Sequence, residues 1–353
     1  MKFLLTAINA KFIHSNPAIY SLRACVGEKL EPHVELAEFT INESLESILE
    51  GIWKRQPEVI GFSCYIWNWK LIQEILTELP KILPDTEIWL GGPEVTYDGP
   101  GLLREFPQVT GIMVGEGEVT FREVLDHYVR EAESTGQSEQ QPESDSTEQQ
   151  AADRMGTVAG KSVAERFGQI PGLCLASGYT APRELTDLTT LPFLYEDMEP
   201  FTNRIIYYET SRGCPYRCSY CLSSIDKKVR LRDIDVVKRE LQFFLDQNVK
   251  QVKFIDRTFN CDHKHAMEIW EYIYKHDNGV TNFHFEISAD ILREEEIALL
   301  NRFRPGLAQL EIGVQSTNPE TIRAIHRVMD VDKLGLDQND RNILLMMILM
   351  QNL

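Results

Sequence analysis

The sequence lacks a long hydrophobic segment: no apolar run approaches the roughly 20 residues that a helix needs to span a bilayer. Its first nine residues are too short and too weakly charged for a secretory signal peptide. Positive charge is also scarce, since 36 Lys and Arg stand against 54 Asp and Glu, for a net charge of -18. Nucleic acids and anionic membranes attract basic surfaces, so neither is an expected partner. We expect a soluble, cytoplasmic protein.

Cysteine is infrequent, and its odd count of seven leaves at least one thiol outside any set of disulfides. Without a secretory signal, a disulfide framework is not expected. Three of the seven lie close together as Cys214, Cys218 and Cys221, in the spacing Cys-x-x-x-Cys-x-x-Cys. Three thiolates can bind a four-iron cluster and leave one iron open to a small molecule. A zinc site would need a fourth Cys or His nearby, and none follows before Cys261.

Residues 1–132 alternate strand-like apolar runs with amphipathic helical runs, which predicts a flavodoxin-like, doubly wound parallel sheet. The predicted strands are Lys2 to Ile8, Val34 to Ile41, Val59 to Tyr65, Glu87 to Gly91 and Gly111 to Val114. The predicted helices are Ala18 to Lys29, Ser44 to Arg55, Trp69 to Leu79, Leu102 to Glu105 and Val119 to Ala132.

Ligands of such sheets bind at the carboxyl ends of the strands, near the switch point between the first and third strands. Several loops there contain glycine, which lets the backbone approach a bulky ligand. The candidate residues are Asn9, Ser63, Gly91, Gly92, Pro93, Gly115, Glu116 and Gly117. The alternative is that Gly-Gly-Pro only makes a tight turn. No G-x-G-x-x-G pattern follows the first strand, which counts against a dinucleotide.

The middle of the chain connects two domains. Residues 133–168 are predicted to be an acidic disordered linker, because 131–153 contains seven acidic residues and no Lys or Arg. Residues 169–203 are predicted to form a connecting hairpin and brace.

Strands and helices alternate again in residues 204–332, which predicts a (β/α) barrel or partial barrel. The predicted strands are Ile205 to Thr210, Gln251 to Ile255, Asn282 to Ile287 and Gln309 to Val314. The predicted helices are Val236 to Gln247, Lys264 to Lys275, Glu294 to Phe303 and Glu320 to Val328. Polar residues at the strand ends include Asp256, Arg257, Glu286, Ser288 and Gln315. A single polar residue there is usually a cap or a surface ion pair, but several ends near a cysteine loop indicate a site.

The cysteine spacing, with aromatic Tyr220 before the last cysteine, resembles that of the radical S-adenosylmethionine (SAM) enzymes. The resemblance implies that the three cysteines hold a 4Fe-4S cluster and that SAM chelates the open iron. Reductive cleavage of SAM would yield a 5'-deoxyadenosyl radical, with electrons from a partner such as flavodoxin or ferredoxin. It also implies SAM contacts near Tyr220 and at Asp256, Arg257, Glu286, Ser288 and Gln315.

A parallel sheet followed by such a core resembles the cobalamin-binding radical SAM proteins. Gly-Gly-Pro-Glu from Gly91 and Gly-Glu-Gly-Glu from Gly115 are the motifs that support this resemblance. The Asp-x-His-x-x-Gly motif, which supplies a histidine to cobalt in many cobalamin proteins, is absent. Many radical SAM relatives also lack it. Cobalamin is therefore an expected cofactor, bound without a histidine from this motif.

Only four β-α units precede Asp332, fewer than radical SAM cores usually have. The apolar stretch 333–353 does not continue the pattern, and we interpret it as a truncated or frame-shifted end, or else a docking helix. The predicted function is radical C–H functionalisation, by methyl transfer or rearrangement. A non-catalytic iron-sulfur electron-transfer or sensor protein, or an inactive truncated product, is the alternative. The sequence identifies neither the substrate nor a catalytic residue.

Overall fold

The chain divides into two units, each with its own sheet. The computed structural model describes residues 1–138, 161–330 and 333. The first unit comprises Met1–Thr186 and Pro192–Arg204. The second comprises Asp187–Leu191 and the described residues from Ile205 onward.

The first unit is built on a seven-stranded sheet of order β2-β1-β3-β4-β5-β6-β7. Strands β1 to β5 are parallel, and β6 and β7 continue the sheet antiparallel. This order confirms the predicted flavodoxin-like sheet and its switch point between β1 and β3. The strands are β1 Phe3–Asn9, β2 Val34–Thr40, β3 Val59–Ser63, β4 Glu87–Gly91, β5 Val109–Met113, β6 Leu173–Leu175 and β7 Gly178–Tyr179.

Helices cover the sheet because its central strands are apolar on both faces. Every residue of β1 is buried, as expected for a parallel strand with helices on both sides. Polar caps begin several helices: Asn16 accepts from the Ala18 amide, Ser44 from Ser47 and Asp98 from Gly101. The helices are α1 Pro17–Cys25, α2 Leu45–Trp53, α3 Trp69–Ile82, α4 Gly99–Glu105, α5 Gly117–Ser138 and α6 Val163–Phe167.

Both ends of the predicted linker are helical. Helix α5 continues to Ser138, and α6 starts from a capping box between Ser162 and Glu165. The Phe167 ring, at the end of α6, is fully buried and packs edge-on against Trp89 of β4. The linker was predicted as 133–168 from its average composition, and such an average does not reveal a single buried ring such as Phe167. The helices α5 and α6 therefore extend into both ends of that range. The remainder of the predicted disordered segment lies outside the described residues.

The second unit contains a four-stranded parallel sheet of order β13-β12-β11-β8, the predicted partial barrel, and a separate two-stranded ladder of β9 and β10. The strands are β8 Ile206–Tyr208, β9 Ser211–Arg212, β10 Arg230–Leu231, β11 Gln251–Phe254, β12 Asn282–Ile287 and β13 Ala308–Ile312. The helices are α7 Ile234–Asp246, α8 His263–Lys275, α9 Glu294–Leu300 and α10 Pro319–Ala324.

The two faces of this sheet differ in chemistry. Phe254, Phe283 and Phe285 are fully buried and pack with Phe259 and Trp270 into an aromatic core. Alternate residues point to the opposite face of the sheet, which is the period-2 pattern of a strand. The helix-facing side is therefore the core, and the other face is polar.

In the part of the chain that the structure describes, no helix is long and apolar enough to cross a membrane. The predicted apolar tail, apart from Lys333, lies outside the described residues.

Candidate functional site

The three motif cysteines lie in a closed loop at the carboxyl end of β8. The loop is the connection between β9 and β10, which pair as Arg212 with Arg230 and Ser211 with Leu231. The Cys214 amide donates to the Asp226 carbonyl at 3.0 Å, and a short 3-10 turn, Leu222–Ser224, follows Cys221. The ladder and these bonds hold the base of the loop.

Glycine is required immediately before the first cysteine. Gly213 has a φ of +94°, and a Cβ there would collide with the Lys228 carbonyl oxygen across the loop. Cys214 and Cys218 are 8% and 5% exposed, whereas Cys221 is half-buried. The loop therefore places two thiols inside the unit and one nearer the surface.

Among residues 1–138, 161–330 and 333, no three His, Cys, Asp or Glu side chains converge on a single ion position. A 4Fe-4S cluster does not need such convergence, because each cysteine binds a different iron. The three thiols of one closed loop are a donor set that suits iron-sulfur chemistry. The residues present thus fit a cluster, with Cys214, Cys218 and Cys221 as its proposed ligands.

Asp256, a predicted SAM contact, is buried and bonded internally. It lies just after β11, is 1% exposed, and accepts hydrogen bonds from the Thr210 amide and hydroxyl and the Ser211 hydroxyl, at 3.0, 2.6 and 2.6 Å. Burial raises the pKa of Asp256, and these hydrogen bonds act in the opposite direction. The carboxyl group therefore ties the end of β11 to the segment leading into the cysteine loop. Contact between Asp256 and SAM stays a prediction.

Ser288 also belongs to an internal network. Its amide and carbonyl exchange hydrogen bonds of 2.9 Å with the side chain of Asn260, and its hydroxyl donates to Asp290 at 2.7 Å. Asn260 is fully buried. The network joins the ends of β11 and β12, so the carboxyl edge of the sheet is rigidly built.

Glu286 lies on the polar face of the sheet. Its carboxylate is 3.7 Å from Lys253 of β11, and Lys253 also lies 3.1 Å from Glu311 of β13. Burial raises the pKa of Glu286, while Arg257 and Lys253 act to lower it. A row of charges thus crosses three strands near the predicted SAM edge.

Arg257, Tyr220 and Gln315 are exposed at the same edge, and Gln315 has a φ of +67°. The structure therefore places the predicted SAM residues around one edge, with these three accessible and Asp256 and Ser288 engaged internally.

Arg327 is a residue that the sequence did not single out. It follows α10, donates to the Gly313 carbonyl at 2.5 Å and lies 3.5 Å from the Tyr220 hydroxyl. Its Nε is buried without a hydrogen-bond partner among the described residues. The neighbouring Ile325 carbonyl accepts from the Ser219 amide at 3.0 Å. The region after α10 therefore supports the cysteine loop, a contact that only tertiary folding creates.

In the first unit, the predicted cobalamin residues line the carboxyl edge of the sheet. Gly92, after β4, has a φ of +109°, and a Cβ there would lie 2.5 Å from the Cys64 carbonyl oxygen. Gly115, after β5, has a φ of +81° with nothing within 4 Å, and it is exposed. Pro93, Gly91 and Gly117 are partly exposed at this edge. The glycines permit close backbone packing and leave open space beyond β5.

Asn9, Ser63 and Glu116 are hydrogen-bonded within the unit. The side-chain amide of Asn9 donates to the Glu38 carboxylate at 2.8 Å and to the His14 carbonyl at 3.0 Å. Ser63 accepts from Asn16 at 3.2 Å, and Glu116 accepts from the Thr186 amide at 2.7 Å. These three residues order the loops of the edge.

Exposed apolar side chains at this edge were not predicted as site residues. Trp67, in the loop after β3, is 49% exposed and stacks on Tyr65 with ring centroids 4.3 Å apart. Ile66 beside it is 80% exposed, and Phe12, in the loop after β1, is 62% exposed. Large exposed apolar groups in neighbouring loops mark a binding surface. We call Phe12, Ile66 and Trp67 the apolar rim.

Two family models match the chain. The B12 binding domain matches residues 4–125, and the Radical SAM superfamily matches residues 208–343. The second match continues into the segment 333–353 that the sequence pattern set apart. The chain therefore has a B12 binding domain followed by a radical SAM domain.

Several curated relatives have methyltransferase names, and another, from Rubrivivax gelatinosus, is named as an anaerobic magnesium-protoporphyrin IX monomethyl ester cyclase. An uncharacterized methyltransferase of Pyrococcus horikoshii is 25% identical over 64% of this chain. The cobalamin-dependent radical SAM methyltransferase TokK of Streptomyces tokunonensis is 28% identical over 58% of it. The chain spans 45% and 28% of the length of these two relatives.

The fold is that of solved radical SAM methyltransferases. The structure of TsrM from Kitasatospora setae, with tryptophan and a SAM analogue bound, matches with a TM-score of 0.64. It is 17% identical, and the match covers 95% of this chain and 64% of that one. The likeness confirms the predicted fold class.

Proposed function

We propose that this protein is a radical SAM methyltransferase that holds a 4Fe-4S cluster, SAM and cobalamin. The observation that supports it most directly is the closed loop with Cys214, Cys218 and Cys221 at the carboxyl end of a parallel sheet, in one chain with a B12 binding domain. Such a cluster, when bound and reduced, supplies the electron that cleaves SAM. The electron donor to the cluster would be a flavodoxin- or ferredoxin-like protein. We propose a cytoplasmic location for the protein, because thiols stay reduced there.

The residues of the second unit would bind and orient the cofactors. The three thiolates would hold the cluster, and the exposed Arg257, Tyr220 and Gln315 are the proposed SAM contacts with free access to the edge. Glu286 would present a carboxylate from the polar face. Asp256 and Ser288 would act mainly by holding the loops in place, since their polar atoms are already bonded internally.

In the first unit, the apolar rim and the open space at Gly115 would cradle the corrin ring. A corrin is a broad, flat, largely apolar surface, and aromatic side chains bury such surfaces efficiently. Asn9, Ser63, Gly91, Gly92, Pro93, Glu116 and Gly117 form or order the loops around that surface. The TokK name supports cobalamin in this role.

A non-catalytic electron-transfer or sensor protein is less well supported. Such a protein requires the cysteine loop alone, whereas this chain adds a B12 binding domain, and its relatives are named as enzymes, several of them methyltransferases and one a cyclase.

The test is anaerobic reconstitution with iron, sulfide and hydroxocobalamin, followed by reduction and addition of SAM. We expect absorbance of both cluster and corrinoid, and formation of 5'-deoxyadenosine or S-adenosylhomocysteine. A reduced, loaded protein that never consumes SAM would contradict the enzymatic proposal.

Replacing Cys218 by Ala should abolish cluster binding, because a cluster held by two thiolates loses one of its three anchors. Iron and sulfide content and the visible absorbance measure this loss. Cys25→Ala, at a partly buried thiol of the first unit, is the matched control and should retain full iron content. Retention of iron by Cys218→Ala would show the ligand assignment to be wrong.

A further inference from the structure

Thr258 lies against the first motif cysteine. Its hydroxyl oxygen is 3.6 Å from the Cys214 sulfur, within hydrogen-bond distance for sulfur. Thr258 follows β11 and is 7% exposed, and Cys214 is 8% exposed. The contact is therefore shielded from solvent, and a hydrogen bond there is stronger than one in water.

The hydroxyl has one proton and two acceptors within reach. Besides Cys214, the Arg257 carbonyl oxygen lies 2.8 Å away and accepts from the same hydroxyl. When Cys214 is a thiol, its S–H can donate the hydrogen bond to the Thr258 hydroxyl oxygen. A thiolate bound to iron has no proton, so only Thr258 can then donate across the 3.6 Å contact.

Charge decides between the two acceptors. A hydrogen bond to an ionised acceptor is roughly twice as strong as one between neutral groups. The Arg257 carbonyl is a neutral acceptor, so the bond that the hydroxyl gives up there is the weaker of the two. Binding of the cluster should therefore turn the hydroxyl towards Cys214.

We propose that the Thr258 hydroxyl donates a hydrogen bond to the Cys214 thiolate of the bound cluster and raises the reduction potential of that cluster. The inference rests on the proposed cluster site. A donor beside a ligand sulfur stabilises the reduced state, which has one more negative charge, and hydrogen bonds to cluster sulfurs are a recognised determinant of the potential. Thr258 is thus a positioning and tuning residue.

Tyr220 provides a comparison within the same loop. Its hydroxyl also interacts with Cys218, but the side chain is 53% exposed. Solvent can replace this donor, so removal of the Tyr220 hydroxyl should change the potential less than removal of the Thr258 hydroxyl.

The experiment compares the full-length wild type with Thr258→Val, Thr258→Ser and Tyr220→Phe. Thr281→Val is the control, because it removes a fully buried hydroxyl at the amino end of β12. Each protein is loaded anaerobically, its iron and sulfide are counted, and the cluster is titrated with dithionite while the EPR signal is followed.

We expect Thr258→Val to load normally and to have a lower midpoint potential. The midpoint potential should fall by up to about 59 mV, which corresponds to a tenfold change in the ratio of reduced to oxidised cluster for one electron. Thr258→Ser and Thr281→Val should match the wild type. An unchanged potential in a fully loaded Thr258→Val protein overturns the proposal.

Iron content separates this proposal from the proposed function. A wild type that holds no cluster overturns both. If Thr258→Val fails to load, Thr258→Ala replaces it. Loss of the cluster from both variants while Thr258→Ser loads would indicate a role in assembly and overturn the tuning role. Pulsed EPR in D₂O should show one fewer exchangeable deuteron coupled to the cluster in the hydroxyl-free variant, and an equal number overturns the proposal.

Discussion

At the scale of single residues, the cysteine loop depends on backbone conformation as well as on its thiols. Gly213 adopts a φ of +94°, a region that other residues occupy only with strain. A side chain at Gly213 would in addition meet the Lys228 carbonyl oxygen, which belongs to the opposite side of the loop. The loop can therefore close only with glycine before Cys214.

Gly213→Ala should destabilise the second unit by about 1–3 kcal/mol, from backbone strain and the added clash. It should also lower the iron content after reconstitution. Urea unfolding under anaerobic conditions and iron analysis measure the two effects. Gly279→Ala is the matched control, because Gly279 has a φ of +75° but nothing within 4 Å of an added Cβ. Normal cluster loading by Gly213→Ala would contradict the requirement for a closed loop.

From the sequence alone, candidate site residues could be predicted where the signal is a local motif. The spacing of Cys214, Cys218 and Cys221 is itself the signal, and Tyr220 follows from the same motif. Arg327 and Thr258 were missed because each contacts the loop from a distant segment. Asp256 illustrates the reverse case: its position at a strand end was predicted correctly, whereas its hydrogen bonds to Thr210 and Ser211 appear only in the fold.

At the scale of elements, helix α6 fastens the chain to the first sheet. Arg166 is buried and pairs with Glu87 of β4 at 2.9 Å and with Glu131 of α5 at 2.8 Å. Burial acts to raise the pKa of Glu131, but the hydrogen bonds and charge of Arg166 lower it below its ordinary value. A five-residue helix has little stability of its own, so this ion pair and Phe167 hold it.

Arg166→Gln should destabilise the first unit by about 3–5 kcal/mol, because it leaves two carboxylates partly buried without their partner. Arg130→Gln, at an exposed pair on α5, should cost only about 0.5 kcal/mol. Chemical denaturation measures both.

The pH dependence follows from the lowered pKa of Glu131. The Arg166 contribution should be present above the ordinary glutamate pKa and disappear as the pH falls through the lower value of the folded state. The difference between wild type and Arg166→Gln should therefore shrink in acid. A difference independent of pH would contradict the ion-pair explanation.

Element boundaries were predicted to within a few residues where hydrophobic periodicity was strong, as in β12, Asn282–Ile287. Pairing at the edge of a sheet depends instead on tertiary contacts. The hairpin β6–β7 lies within the predicted connecting hairpin, 169–203, and it joins the edge of the first sheet beside β5, a pairing that the sequence did not predict. Pairing with a strand some sixty residues earlier leaves no local sequence signal, because contacts between residues so far apart in sequence form only in the folded sheet.

At the scale of the whole molecule, the residues proposed to bind cobalamin and those proposed to bind the cluster lie in separate units. The apolar rim belongs to the first unit and the cysteine loop to the second. Each unit has its own core, built around β1 to β5 in one case and around Phe254, Phe283 and Phe285 in the other.

Cobalamin and cluster binding should therefore be separable by mutation. Trp67→Ala should weaken hydroxocobalamin binding about tenfold, since loss of an aromatic contact costs about 1.5 kcal/mol, and should leave iron content unchanged. Trp53→Ala is the control, because Trp53 is 50% exposed on α2, away from the strand ends. Cys218→Ala should show the converse pattern. A hydroxocobalamin titration followed by absorbance measures cobalamin binding, and iron analysis measures cluster content. Loss of both cofactors from either variant would contradict separate determinants.

The order of elements, the parallel sheets and the spacing of the three cysteines could be predicted from the sequence, because hydrophobic period and motif spacing are local properties. Which polar residues at the strand ends remain accessible and which bond internally depends on the folded chain, as Arg257 and Asp256 show. It also brought Thr258 and Arg327 to the cysteine loop and exposed the apolar rim. These outcomes depend on contacts between segments distant in sequence, and their hydrogen bonds and burial exist only after the sheets have formed.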